Sequence, residues 1–202
     1  MSRSARAVTS RNADTDLRII AGRFRGRRLQ SPSDEQTRPT SDRLRETLFN
    51  ILAPRIDGAR FLDLCAGTGA VGIEALSRGA ASVTFVDRSR KVCGLIETNL
   101  DALQIGTNER AVVPAEALEY LRRQTKTSEE PFDIVFFDPP YATDYEVVLN
   151  FIGAHVSQIL NDDGVVIVEH HKKNPLPEQF NTLVRYRELK QGDSLLSFYR
   201  VT

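Results

Sequence analysis

The chain has 202 residues, 41% of them hydrophobic, with 27 basic and 27 acidic side chains. Length and composition suit one ordinary domain with a short appendage and a buried core, a soluble globular protein. No apolar run approaches the roughly 20 residues of a membrane span, and no apolar segment follows the N-terminal arginines as in a secretory signal, so the expectation is a cytoplasmic protein with no membrane partner, taken as a monomer.

Residues 1–16 mix Ser, Thr, Asn, Ala and charges without periodicity, and a disordered arm is expected there. Residues 17–39 read as a basic segment. Ile19, Ile20 and Phe24 precede a break at Gly26, the pattern of a short arginine-rich β-hairpin or extended arm, and Ser31 to Pro39 is a turn-rich connector. Residues 1–30 hold eight arginines against two aspartates, a net charge of +6 on a body of −6. A basic arm on an acidic body is a mark of polyanion-binding proteins, although charge alone describes a solvated tail equally well.

Residues 40–202 carry the main domain. Thr40 or Ser41 caps a helix with Leu44, Leu48, Ile51 and Leu52 on its apolar face, ended by Pro54 and Gly58. Strands are then expected over 61–64, 82–87, 111–113, 133–138 and 165–169, alternating with helices over 70–77, 90–103, 115–123 and 145–160. The last of these helices turns Val148, Phe151, Ile152, His155 and Ile159 to the core. Segments 183–189 and 195–201, joined only by a turn, should pair antiparallel. Alternation of this kind dictates an α/β fold with a mostly parallel sheet and right-handed crossovers, and the final antiparallel hairpin points to a Rossmann-like class I methyltransferase.

The run Asp63-Leu64-Cys65-Ala66-Gly67-Thr68-Gly69-Ala70-Val71-Gly72 follows a strand and opens a helix. Gly67, Gly69 and Gly72 match the nucleotide-binding spacing, where backbone must turn tightly and approach a ligand closely. Asp87 ends the next strand, where an acid accepts hydrogen bonds from ribose hydroxyls. These features admit NAD as readily as S-adenosylmethionine. Asp63 before the loop and Glu116 after the third strand favour S-adenosylmethionine, with Ala66, Thr68, Arg88 and Ala117 completing the expected cofactor contacts. Cys65 and Cys93 have no disulfide or zinc spacing and read as buried small hydrophobes. His155, His170 and His171 have no partner cysteines at ligand spacing, so no metal is expected, and His170 reads as structural.

The most informative stretch is Ile134-Val135-Phe136-Phe137-Asp138-Pro139-Pro140-Tyr141. An apolar strand runs into Asp-Pro-Pro-Tyr at its carboxyl end, where open α/β sheets bind ligands, and the prolines stiffen the backbone while leaving carbonyls free to accept. Asp138 and the Pro139 carbonyl suit the two hydrogens of an exocyclic base amine, and Tyr141 suits stacking of a base taken out of its helix. An adenine-N6 methyltransferase acting on DNA would use the same loop. A noncatalytic RNA-binding module is the reading from another class, and nothing offers the hydride-transfer site of a dehydrogenase.

Taken together, Arg18–Gly22, Arg25–Leu29, Arg38–Asn50, Asp63–Gly72, Ile73–Ala80 and Asp138–Tyr141 resemble one family. It is the RsmD family of class I methyltransferases, which act on N2 of a guanine in bacterial 16S ribosomal RNA. The resemblance runs from about Arg18 onward. It implies a seven-stranded cofactor domain and an N-terminal hairpin gripping 16S RNA or a small-subunit assembly particle through Arg23, Arg25, Arg27 and Arg28. It also implies that Arg38, Thr40 and Arg43 lie beside the active site. Glu116 stands where many relatives carry Asp.

Overall fold

The computed structural model describes residues 17–31, 41–127, 129–140 and 144–202. The expected arm 1–16, most of the connector with Arg38 and Thr40, and Tyr141 lie outside the described residues.

Helix α1 (Asp42–Leu52) starts at Ser41, whose hydroxyl accepts the Leu44 N–H at 3.3 Å. It buries Leu44, Leu48, Phe49 and Leu52, a stripe at helical spacing. The chain then alternates: β1 (Arg60–Leu64), α2 (Ala70–Ser77), β2 (Ser82–Asp87), α3 (Arg90–Ala102), β3 (Arg110–Pro114), α4 (Ala117–Gln124), β4 (Phe132–Phe137), α5 (Tyr145–Ala154), α6 (Val156–Ile159) and β5 (Leu160–His171). Three strands follow: β6 (Gln179–Phe180), β7 (Leu183–Gln191) and β8 (Ser194–Val201).

The sheet order is β3-β2-β1-β4-β5-β8-β7-β6. Strands β1 to β5 are parallel, β8 runs antiparallel to β5, and β7 antiparallel to β8. The seven expected strands are present, and the two-residue β6 adds an eighth at the edge. Two apolar layers flank the sheet. One joins Phe61, Phe136 and Ile167 to α1, α2 and α3; the other joins Phe137, Val168 and Tyr199 to α4 and α5. Strand order reverses between β1 and β4, which opens a crevice at their carboxyl ends.

Several local expectations are corrected. The helix expected over 145–160 ends at Ala154, because His155 leaves helical geometry at φ −126°. The His155 ring stacks on Phe151 at 4.2 Å and its Nδ1 bonds the Phe151 carbonyl at 2.9 Å, so both side chains are half-buried rather than core. Leu160 is already in β5, paired with Phe132. Helix α4 begins at Ala117, not 115, with Glu116 as its N-cap residue. Cys93 is buried, but Cys65 is only half-buried and holds a left-handed backbone, φ 62°.

The N-terminal segment forms a hairpin with a single bridge, Arg18 to Arg28, closed by a turn at 21–26. Leu17, Ile19 and Leu29 are buried in the same apolar layer as α1 and α2. The reason lies in polar side chains on α2 and α3. Glu74 accepts the N–H groups of Ile20 (2.7 Å) and Ala21 (3.0 Å), Ser77 Oγ accepts that of Phe24, and Asn99 holds both N–H and C=O of Gln30. At Gly22 a Cβ would meet the Ser77 carbonyl oxygen at 1.7 Å, so only glycine allows this approach.

Candidate active site

The loop after β1 is built from three glycines with different tasks. Gly67 has φ 52° and its missing Cβ would point into open space apart from the Cys65 carbonyl at 3.9 Å, which leaves backbone exposed to a ligand. Gly69 has φ 74° and closes the turn through its N–H to the Ala66 carbonyl. Gly72 lies where a Cβ would meet the Phe85 ring at 2.2 Å, so it lets α2 pack directly on β2.

Two acids hold this loop. Asp63 is 2% exposed and its Oδ2 accepts the Gly72 N–H at 2.9 Å. Burial pushes its carboxyl up to about 8, against the pull of that hydrogen bond. Asp87 at the end of β2 accepts the Gly67 N–H at 3.0 Å on one oxygen and the Ser89 N–H at 2.8 Å on the other. One carboxylate therefore ties the β1 loop to the β2 loop. Ala66 donates to the Val86 carbonyl and is half-buried, while Thr68 is buried.

Beyond β2 and β3, Arg88 and Glu116 are exposed and face each other at 3.9 Å, a weak surface pair, with Ala117 buried behind them. At the end of β4 the Asp138 N–H reaches the Leu64 carbonyl at 3.4 Å, which brings the proposed catalytic loop alongside the glycine loop. Asp138 is half-buried, Pro139 buried and Pro140 exposed.

The site acids converge on Cys65. Burial raises its thiol pKa first, and Asp87, Asp138, Asp63 and Glu116 all add to the rise. Burial and the surrounding acids both disfavour the thiolate. The sequence reads Cys65 only as a buried small hydrophobe, although its position between Asp63 and Gly67 is a signal of the acids around it. Neither Arg45 nor Glu74, both fully buried, was singled out.

The arginines fall elsewhere. Arg23 pairs with Glu109 and lies over the Phe24 ring at 4.5 Å, and Arg27 donates to the Ala102 carbonyl at 3.1 Å. Glu109 immediately precedes β3 and Ala102 ends α3, the helix that returns the chain to the amino end of β3, so the hairpin tip is at the opposite end of the sheet from Asp138. Arg25 is exposed in that tip, and Arg28 sits in the bridge. Arg43 is exposed in the first turn of α1. His170 is buried, bonded to the Asn174 carbonyl at 3.0 Å and Ser197 Oγ at 2.9 Å, and burial lowers its pKa, as suits a structural histidine. No cluster of three or more His, Cys, Asp or Glu able to hold a metal occurs among the described residues.

A 3-2-1-4-5 parallel sheet with an antiparallel β7–β8 hairpin, and acids at the carboxyl ends of β1, β2 and β4, define a class I methyltransferase. Within that class the chain belongs to the RsmD family. The family described as "Conserved hypothetical protein 95" matches residues 17–200. "Ribosomal RNA small subunit methyltransferase D" of Escherichia coli is 39% identical over 185 residues, covering 91% of this chain and 89% of that protein. Its namesake from Haemophilus influenzae is 36% identical over 183 residues, covering 87% and 91%. The solved structure of yhhF from Escherichia coli superposes with a TM-score of 0.78 at 36% identity, over 92% of this chain and 97% of that one.

Proposed function

We propose that this protein methylates the exocyclic N2 amine of a guanine in 16S ribosomal RNA, with S-adenosylmethionine as donor. The observation that carries the reading is the approach of Asp138 to the β1 loop at the switch point, within a chain whose relatives are named for small-subunit ribosomal RNA.

The residues fit that cofactor better than a dinucleotide. Asp87, Asp138 and Glu116 all act on the Cys65 position, an anionic surrounding that favours a cationic ligand over a pyrophosphate. Asp87 retains acceptor capacity for ribose hydroxyls beside its two backbone partners, the Gly67 backbone is open to the cofactor, and Arg88 and Glu116 flank the adenine position. Asp63 supports the loop from beneath rather than from within the site. When bound, S-adenosylmethionine supplies an electrophilic methyl group on a positively charged sulfur.

The amine of guanine is a poor nucleophile because its lone pair is delocalised into the ring. Asp138 and the Pro139 carbonyl accept its two hydrogens, which lets the nitrogen pyramidalise and directs its lone pair at the methyl carbon. Asp138 would take up the proton released as the new N–C bond forms and the methyl–sulfur bond breaks, its electron pair staying on sulfur. The two prolines hold these acceptors rigidly, and Tyr141 is assigned the stacking of the extruded base. Arg38 and Arg43 are assigned to the RNA backbone near the crevice. The hairpin-tip arginines are assigned to a second, distant contact.

Asp138→Ala should reduce transfer by about 10²–10⁴-fold while leaving cofactor affinity, measured by calorimetry, within a factor of a few. Unchanged turnover in that variant contradicts the mechanism.

A further inference from the structure

Strand β5 runs beside β4, and their register pairs Phe137 with Val168, so Asp138 and Glu169 are the next positions along. Phe137 and Val168 are both buried against the α4 and α5 layer. Strand alternation therefore turns Glu169, which is still inside β5 and paired with Leu196, to the opposite face, the one that carries Ile167 and Leu196, while Asp138 leaves the end of β4 at the same level. Asp138 and Glu169 are both half-buried. The Glu169 carboxylate has a fixed direction, because Ser194 Oγ donates to its Oε1 at 3.1 Å. The β7–β8 turn that leads into Ser194, the first residue of β8, is itself tied to the end of β5. Lys172 donates its N–H to the Asp193 carbonyl at 2.9 Å, and its ammonium pairs with the Asp193 carboxylate at 2.6 Å.

Guanine carries two kinds of donor side by side on one edge, the N2 amine and N1–H. In adenine and cytosine the ring nitrogen beside the exocyclic amine is an unprotonated acceptor. An acid next to the amine-binding acid is complementary to the first arrangement and repels the lone pair of the other two. We propose that Glu169 is the base-specificity residue of this site. It accepts N1–H of the target guanine while Asp138 and the Pro139 carbonyl take the amine hydrogens. This assignment rests on the guanine-N2 reading above.

The test compares guanine with 2-aminopurine, which keeps the N2 amine but has an acceptor at N1. Each is placed at the target nucleotide of 16S RNA assembled around a synthetic segment and reconstituted into small subunits. Wild-type protein should prefer guanine by about 10- to 100-fold in kcat/KM, the discrimination expected of one well-made base contact. Glu169→Gln keeps the side-chain volume and an acceptor for Ser194, and its amide can donate to the N1 lone pair. It should bring the ratio to within a few-fold of unity. A merely structural role would slow both substrates alike, so an unchanged ratio in Glu169→Gln overturns the proposal while leaving the guanine-N2 reading intact. Failure of wild-type protein to form N2-methylguanosine in the guanine substrate would overturn both.

Discussion

Asp63 shows how a single residue can be required by a site without touching the chemistry. Its carboxyl is removed from water and receives one backbone N–H, so burial dominates and raises its pKa to about 8. A folded-state pKa above the unfolded value means the native state binds this proton more tightly. The favourable contribution is complete below about pH 4 and is lost progressively as pH rises to about 8. The loss is at most about 1.4 kcal/mol per pH unit, the slope of one proton. Asp63→Asn is neutral throughout and keeps an oxygen for Gly72. Its melting temperature should vary less between pH 5 and 8 than that of the wild type, and parallel profiles would contradict this account. The sequence marked Asp63 as a cofactor-loop acid. Its burial depends on α2 closing over β1, which motif spacing does not report.

At the scale of elements, the N-terminal hairpin is the feature least legible in advance. Its apolar positions and glycine break predict a hairpin or an extended arm, because they report only local pattern. Its docking depends on partners far along the chain: Glu74, Ser77, Asn99 and the buried Arg45, which donates to the Arg18 carbonyl at 2.8 Å and to Asp42 at 2.7 Å. Glu74 also pairs with Arg78 at 2.6 Å, so one buried carboxylate serves three donors. Replacing it with Ala leaves a cation and two amides unpaired, and should cost about 3–5 kcal/mol. Hydrogen exchange at Ile20 and Ala21 should then accelerate well beyond that in β1 and β4. Equal acceleration everywhere would mean that Glu74 supports the whole fold rather than the hairpin. By contrast, α2 and β2 were legible to the residue, because glycine and acid signals bound them on both sides. The break at His155 was not legible, since its ring-stacking on Phe151 mimics a continuing apolar face.

Across the whole molecule the sheet separates two kinds of surface. Acids gather at the carboxyl ends of β1, β2 and β4, and the hairpin arginines lie at the amino ends. In the proposed function, a polyanion held at both ends spans the face formed by α1 and the hairpin, and the acidic crevice is assigned to the cationic cofactor. The alternation of strands and helices made this topology readable, and the Asp-Pro-Pro run located the crevice. What pattern could not supply was the distance between the arginine tip and that crevice, which is set by how the hairpin docks. The central claim is tested most directly by incubating the protein with labelled S-adenosylmethionine and small ribosomal subunits from cells lacking this protein, then digesting the RNA to nucleosides. The account predicts label in N2-methylguanosine. Label in N6-methyladenosine, or none on subunits, free 16S RNA or DNA, would contradict it.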